Sequence, residues 1–354
     1  MLFFSRISIK DKALFYENVA NLLEGWVTLL MALKWLRDRL PPGKLQEAID
    51  HIVFFVEWGD AVNIAMRKLP NFFDEQEVAI VESGEQTGMI QESFLAIASD
   101  LRGQEDLKNK ITSAMTYPLI IMLFLILAIS IVMIYVVPQL MPILGNVTWE
   151  LPFTTKALIW TSNFIKDNII YIVITCIGLG LIWVWYARTE HGAKMIDREK
   201  ITLPIAGLVY KNYLIVRTMS TFHLLNTAWV SIVKTLRLTG ASSGNSIIKK
   251  LFQSISDDIA WGSKISLSML ERDKDHIFFT PDIIQMIESA ERTSTIWSIT
   301  AKIATQYKRE VDFALSNMVK YIEPVALLLA WVFVLWFAIA IFWAIMQIVS
   351  IAWQ

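Results

Sequence analysis

The chain has 354 residues, 55% of them hydrophobic and 18% charged, with a formal net charge of −1 and one cysteine, Cys176. A soluble globular domain carries roughly 45–50% apolar and about 25% charged residues, so an ordinary soluble enzyme is disfavoured. The same values exclude intrinsic disorder, a global basic field for nucleic acid, a disulfide framework and a cysteine-based metal cluster.

The opening MLFFSRISIKDK has too short an apolar run for a signal peptide, and its charges follow that run. The first hundred residues are therefore expected in the cytoplasm. Residues 11–36 place Leu14, Phe15, Val19, Leu22, Leu23, Trp26, Leu29, Leu30, Leu33 and Leu36 at helical spacing behind Asp11. Pro41-Pro42-Gly43 ends that helix. Shorter helical patterns follow at 44–56 and 58–68, then from Asp74 to about Glu82, then over Met89–Ile111. Residues 1–117 thus read as an antiparallel helix bundle.

The stretch Val81-Glu82-Ser83-Gly84-Glu85-Gln86-Thr87-Gly88 is expected to break the helical run. Gly84 and Gly88 permit a sharp turn or close backbone approach. Glu82 and Glu85, three apart, share one face and suit a basic partner surface or a hard cation such as calcium. A solvated, capped turn between helices is the plainer alternative.

Three uncharged apolar runs follow: Leu119–Val137, Ile169–Ala187 and Val325–Met346. Each reaches the roughly 20 residues that cross about 30 Å of hydrocarbon. Transmembrane helices are expected at 118–140, 168–187 and 324–350. Lys and Arg concentrate before the first run, after the second and before the third, with only Lys156 and Lys166 between the first two. The positive-inside rule then puts 1–117 and 188–323 in the cytoplasm, and the short 141–167 loop and the C-terminus in the periplasm. Tyr117-Pro118 and Glu323-Pro324 stand where the first and third spans open. Proline suits a first helical turn and Glu323 a helix N-terminus; the functional alternative is a pair of hinges. The spans hold no Asp, Glu, Lys, Arg or His, which disfavours a proton path.

Residues 188–323 repeat the first bundle. Trp26 matches Trp229, Trp58-Gly59 matches Trp261-Gly262, and Met66 matches Met269, at an offset of 203. Beyond a three-residue insertion the offset is 206: Phe72-Phe73 matches Phe278-Phe279, Glu82 matches Glu288, Glu85 matches Glu291, and Pro118 matches Pro324. A period this long means duplicated domains, not a solenoid.

Catalytic and cofactor motifs give little. No P-loop and no H-E-x-x-H occurs, the four His are scattered, and no cofactor or metal is expected. Gly240-Ala241-Ser242-Ser243-Gly244 fits a nucleophile elbow, with Asp257 and His276 in hydrolase order, but it follows a helical pattern where the elbow requires a strand. A linker between bundle helices is expected there.

The layout resembles the inner-membrane platform family of type II secretion and type IV pilus assembly systems. The resemblance rests on the duplicated bundle, on Gly84-Glu85-Gln86-Thr87-Gly88 (similar to G-E-x-[ST]-G), on Thr116-Tyr117-Pro118, on Val136-Val137-Pro138, on Leu203-Pro204-Ile205-Ala206-Gly207 and on Glu323-Pro324. In the family's A-G-[VI]-[PS]-L turn, Trp26 and Trp229 stand in place of glycine, and Ala290 and Ser294 replace the glycines of the second glutamate motif. These departures suggest a divergent branch, near the type IVb pili. The resemblance implies a non-enzymatic platform in the bacterial inner membrane, a homo-oligomer, working with a cytoplasmic hexameric ATPase, pilin or pseudopilin subunits and other inner-membrane components. It involves the lipid bilayer and no nucleic acid.

The expectation is an all-α polytopic membrane protein with two repeated cytoplasmic helix-bundle domains and three transmembrane helices. Glu82, Glu85, Glu288 and Glu291 are expected to face partners. Gly84, Gly88, Tyr117, Pro118, Pro204, Gly207, Glu323 and Pro324 are expected as motif or hinge positions. Alternatives from other classes are a small transporter or channel subunit, and a membrane hydrolase using Ser242.

Overall fold

The computed structural model describes residues 7–139, 153–187, 189–202 and 206–352. Pro204 lies outside the described residues. These residues form helices and no strand. They divide into two compact units, 1–110 with 197–314 and 111–196 with 315–354.

In the first unit, the first bundle copy comprises α1 (Ile9–Glu24), α2 (Leu29–Arg39), α3 (Lys44–Glu57), α4 (Val62–Arg67), α5 (Glu75–Thr87) and the start of α6 (Ile90–Ile131). The second comprises α9 (Ala206–Thr227), α10 (Ile232–Ser242), α11 (Ser246–Ala260), α12 (Ile265–Arg272), α13 (Pro281–Thr293) and the start of α14 (Ile296–Ala352). Helix α8 (Glu190–Thr202) leads into it, and Gly207 lets α9 start close behind: a Cβ there would stand 2.6 Å from the Ile201 carbonyl oxygen. The helices correspond one to one, and α2 with α10, and α5 with α13, agree in both bounds at the offsets read from the sequence.

Two sequence expectations are corrected. The helix expected over 11–36 is two helices, because the chain turns at Gly25–Thr28 with Trp26 in the left-handed region (φ 61°). Hydrophobic spacing alone does not register one such residue. The expected break at Val81–Gly88 is instead helix: α5 runs through Gly84 to Thr87 and ends at Gly88 (φ 76°). Gly84 is there for packing, since a Cβ would stand 2.8 Å from the Ser93 Cβ of α6.

The first core gathers Tyr16, Leu33, Ile49, Ile52, Met66 and Phe94, and draws Leu224, Leu225, Val230 and Leu238 from the second copy. The second core, around Phe222, Phe252, Phe278 and Phe279, takes none of the described residues of the first copy. In helix α5 the consecutive residues Val78, Ala79, Ile80 and Val81 are all buried, because the helix also packs on α9 and α10. A turn covered on every side belongs between two layers.

The second unit contains the apolar parts of α6 and α14 and helix α7 (Phe153–Ala187). Two helices, Ile90–Gln139 and Ile296–Trp343, are long and apolar enough to cross a membrane; α7 makes a third if its halves, bent by 47° about residue 173, count as one span. Helix α7 starts at Phe153, inside the stretch read as loop. Neither proline opens a helix: Pro118 lies inside α6 and Pro324 inside α14, so Glu323 does not cap a helix. Composition marks where an apolar run begins, and the helices start well before it. At the end of the first apolar run a π-helical turn, Val132–Val136, frees backbone groups. Ser162 donates to the Met133 carbonyl at 2.5 Å, and Thr155 donates to the Ala340 carbonyl at 2.8 Å. Met133, Val137, Leu158 and Ala340 pack around these bonds.

Candidate functional site

The paired glutamates are held in a way their spacing did not suggest. Glu85 accepts from the backbone N–H groups of Val62 (2.7 Å) and Asn63 (3.0 Å), the first turn of α4. Glu291 does the same for Ile265 (2.5 Å) and Ser266 (3.1 Å) at α12. Those amides have no partner within the helix, and the N-cap residues Ala61 and Lys264 offer no side-chain cap. A carboxylate placed there caps the helix from another part of the chain and meets the positive end of its dipole. Glu85 and Glu291 are therefore each bonded to backbone of their own bundle, and both stay partly exposed.

Glu82 links the copies: its carboxylate lies 2.7 Å from Lys234 Nζ on α10 and 3.4 Å from Arg67. The Lys234 hydrogen bond holds its carboxyl below the usual glutamate range. Beside it, Ser83 Oγ donates to the Ala228 carbonyl. Glu288 is exposed and pairs with Arg292 one turn on, at 2.6 Å. Tyr117 and Glu323 are exposed, and Pro118 is buried.

Ser242 donates to the Thr239 carbonyl, Asp257 pairs with Arg237, and the His276 ring lies against the Phe279 carbonyl. The three residues are not brought together in a hydrolase arrangement.

Four tryptophans that align the repeat, Trp26 among them on the apolar stripe expected over 11–36, point outward. Trp26 is 96% exposed, Trp58 78%, Trp229 78% and Trp261 91%. Trp58 sits in the turn before α4, the helix that Glu85 caps. Ser83, two residues earlier than Glu85, contacts Ala228, next to Trp229. Lys34 pairs with Glu57 at 2.5 Å, placing the Trp26 turn beside the Trp58 turn. Ser256 Oγ donates to the Val233 carbonyl at 3.0 Å, which does the same for Trp229 and Trp261. The turns that carry the four indoles thus lie toward one end of the first unit. Tryptophan recurring at turn positions in both copies was the signal for this surface.

Residues 15–138 and 218–344 match the family model described as type II secretion system (T2SS), protein F. The chain belongs to that family. One matched segment falls on each bundle copy and the helix that follows it. Similar proteins include a type IV pilus assembly protein PilC of Thermus thermophilus, 30% identical over 90% of this chain and 78% of that protein. PilC of Pseudomonas aeruginosa is 27% identical over 97% and 91%. Type II secretion system protein F of Aeromonas hydrophila is 22% identical over 92% and 82%. In this protein F family member, Trp229 (φ 58°) repeats the left-handed turn of Trp26. The turn therefore has a physical demand for glycine, which both copies meet with tryptophan.

Proposed function

We propose that this chain is the inner-membrane platform of a type IV pilus or type II secretion machine and has no catalytic role of its own. In this reading residues 1–117 and 188–323 lie in the cytoplasm and the C-terminus in the periplasm. The bundles engage a hexameric ATPase, and the apolar helices hand pilin or pseudopilin subunits from the bilayer into the fibre. The observation that carries the reading is the family match falling on both bundle copies, each running into an apolar helix. The names of the similar proteins, pilus assembly and secretion components, support it. Glu82, Glu85, Glu288 and Glu291 are the residues proposed to face an ATPase or another component, and Glu288 is the most exposed of them.

The test is purification of the tagged chain in mild detergent from its own host, with mass spectrometry of what accompanies it. Recovery of an assembly ATPase and pilin-like subunits is expected. A clean preparation without them, from cells actively assembling fibres, overturns the reading.

A further inference from the structure

The two bundle copies meet through unlike surfaces. From the first copy, helix α5 contributes Ser83, donating to the Ala228 carbonyl, and Glu82, paired with Lys234. From the second, α9 and α10 contribute Leu224, Leu225, Val230 and Leu238 to the first copy's core. The relation is not returned: the second core takes none of the described residues of the first copy, and Glu288 and Ser289 on α13 stand exposed. A contact between unlike faces of a repeated unit is heterologous, and it leaves one unfilled half at each end.

Both unfilled halves are present on this chain. The donor half is the α13 face with Glu288 and Ser289, counterparts of Glu82 and Ser83. The acceptor half is the α1–α2 face with Gly25, Met31 and Trp35, which are exposed, and Leu22 and Val27, which are partly buried against the first core; they are counterparts of Ala228, Lys234, Leu238, Leu225 and Val230. Leu238 is buried under the first copy, whereas Trp35 and Met31 leave about half of their surface open. In the donor helix Ala79 lies one turn before Ser83 on the same face.

We propose that a second copy of the chain fills both halves, with α13 of one copy lying on α1 and α2 of the next, so that copies join head to tail. The template is the contact already inside the chain. Ser289 finds the Gly25 carbonyl as Ser83 finds that of Ala228, and Leu22 and Val27 keep the apolar floor of Leu225 and Val230. Ala79 and Leu224, both in the first core, have as counterparts Gln285 and Asn21, both exposed and able to hydrogen-bond as amides. Lys234 becomes Met31, and Lys34, one turn further along α2, is paired with Glu57 of its own copy. Each copy ends in a helix, α6 or α14, that runs into an apolar stretch. The proposal rests on the membrane reading and not on the secretion role, so the partner purification fails or succeeds independently of it.

Cysteine cross-linking in native membranes tests it, in the full chain carrying Cys176→Ser. Ser83→Cys with Ala228→Cys is the internal control and must form a bond within one chain. Gly25→Cys with Ser289→Cys is expected to yield a ladder of covalent oligomers on oxidation, while each of these two alone yields none. Adding Met31→Glu, which faces Glu288 with a like charge, is expected to cut the ladder about tenfold, and Met31→Lys to strengthen it. Dimers from either single variant would show a two-fold interface and overturn the proposal. A working control with no ladder, or a 25–289 bond within one chain, would also overturn it.

Discussion

The first bundle buries a charge where the second does not. Glu77, on α5, takes Lys12 Nζ at 2.6 Å, the Tyr16 hydroxyl at 3.1 Å and the Asp74 backbone N–H at 3.2 Å, closing a capping box. Burial pushes its carboxyl up, with Lys12 opposing that rise. Burial pushes the Tyr16 hydroxyl up as well. The counterparts of Lys12, Tyr16 and Glu77 are Ile215, Met219 and Ile283, all fully buried. The fold therefore accepts either an ionic or an apolar filling at this position. Glu77→Ala strands the Lys12 ammonium and is expected to cost about 3–5 kcal/mol. Transplanting the apolar set, Lys12→Ile with Tyr16→Met and Glu77→Ile, is expected to be neutral or stabilising, because the desolvation of two charges is no longer incurred. Thermal midpoints of the purified full chain check both; a triple variant as weak as Glu77→Ala would refute the account. Trp26 is the second residue-scale case. The Val27 N–H donates to the Leu22 carbonyl at 3.2 Å and the Trp26 N–H to that of Leu23 at 3.0 Å, a Schellman ending with tryptophan in the glycine place. Trp26→Gly removes a left-handed penalty of roughly 1–2 kcal/mol and is expected to raise the midpoint. A strained, exposed residue kept in both copies points to use of the indole at a surface, and the same variant is expected to weaken whatever contact that end makes.

At the scale of elements, helix α4 depends on a residue far along the chain. It has six residues, too few to hold alone, and its first amides are met by Glu85 from α5. Glu85→Ala is expected to cost about 1–2 kcal/mol through the lost cap. Amide exchange is expected to speed up first over residues 62–67, with Glu291→Ala doing the same at 265–272. Exchange spread evenly over the bundle would mean that the carboxylate holds more than the cap. The glutamate spacing was legible in the sequence, and so was its duplication. Its purpose was not, because a cap supplied across 22 or 23 residues leaves no local pattern, whereas Asp74 with Glu77 three residues on does. Helix periodicity located most helices of the first copy. It ran α1 and α2 together because one left-handed residue breaks a helix without breaking the apolar stripe. It placed helix starts at Pro118 and Pro324 because composition changes there, while the backbone continues unbroken through both. The outward tryptophans escaped a reading that treats aromatics at helical spacing as core.

For the molecule as a whole, the contact between the two bundle copies is what titrates. Glu82 bridges to Lys234 and Arg67, and the Lys234 hydrogen bond sets its folded pKa below its unfolded value. A depressed carboxylate contributes stability that is fully present above the unfolded pKa, near 4.3, and is lost as pH falls through the folded value. Asp100 has the opposite sign. It is half-buried on α6, takes Gln104 and Gln76 as hydrogen-bond partners, and feels Arg217 and His223 of α9; desolvation outweighs these and raises its carboxyl. Its contribution is present below the ordinary aspartate range and lost as pH rises through the raised value. The two groups predict divergent profiles for single variants. Glu82→Gln is expected to lower the thermal midpoint at neutral pH and to converge on the parent as pH falls below the ordinary glutamate range. Asp100→Asn is expected to match the parent at low pH and to exceed it as pH rises. Midpoints of the full chain from pH 3 to 8, read beside the yield of the Ser83→Cys/Ala228→Cys bond, check both. Parallel profiles for the two variants would show that the copies are held by apolar burial alone, with the charges between them neutral in effect.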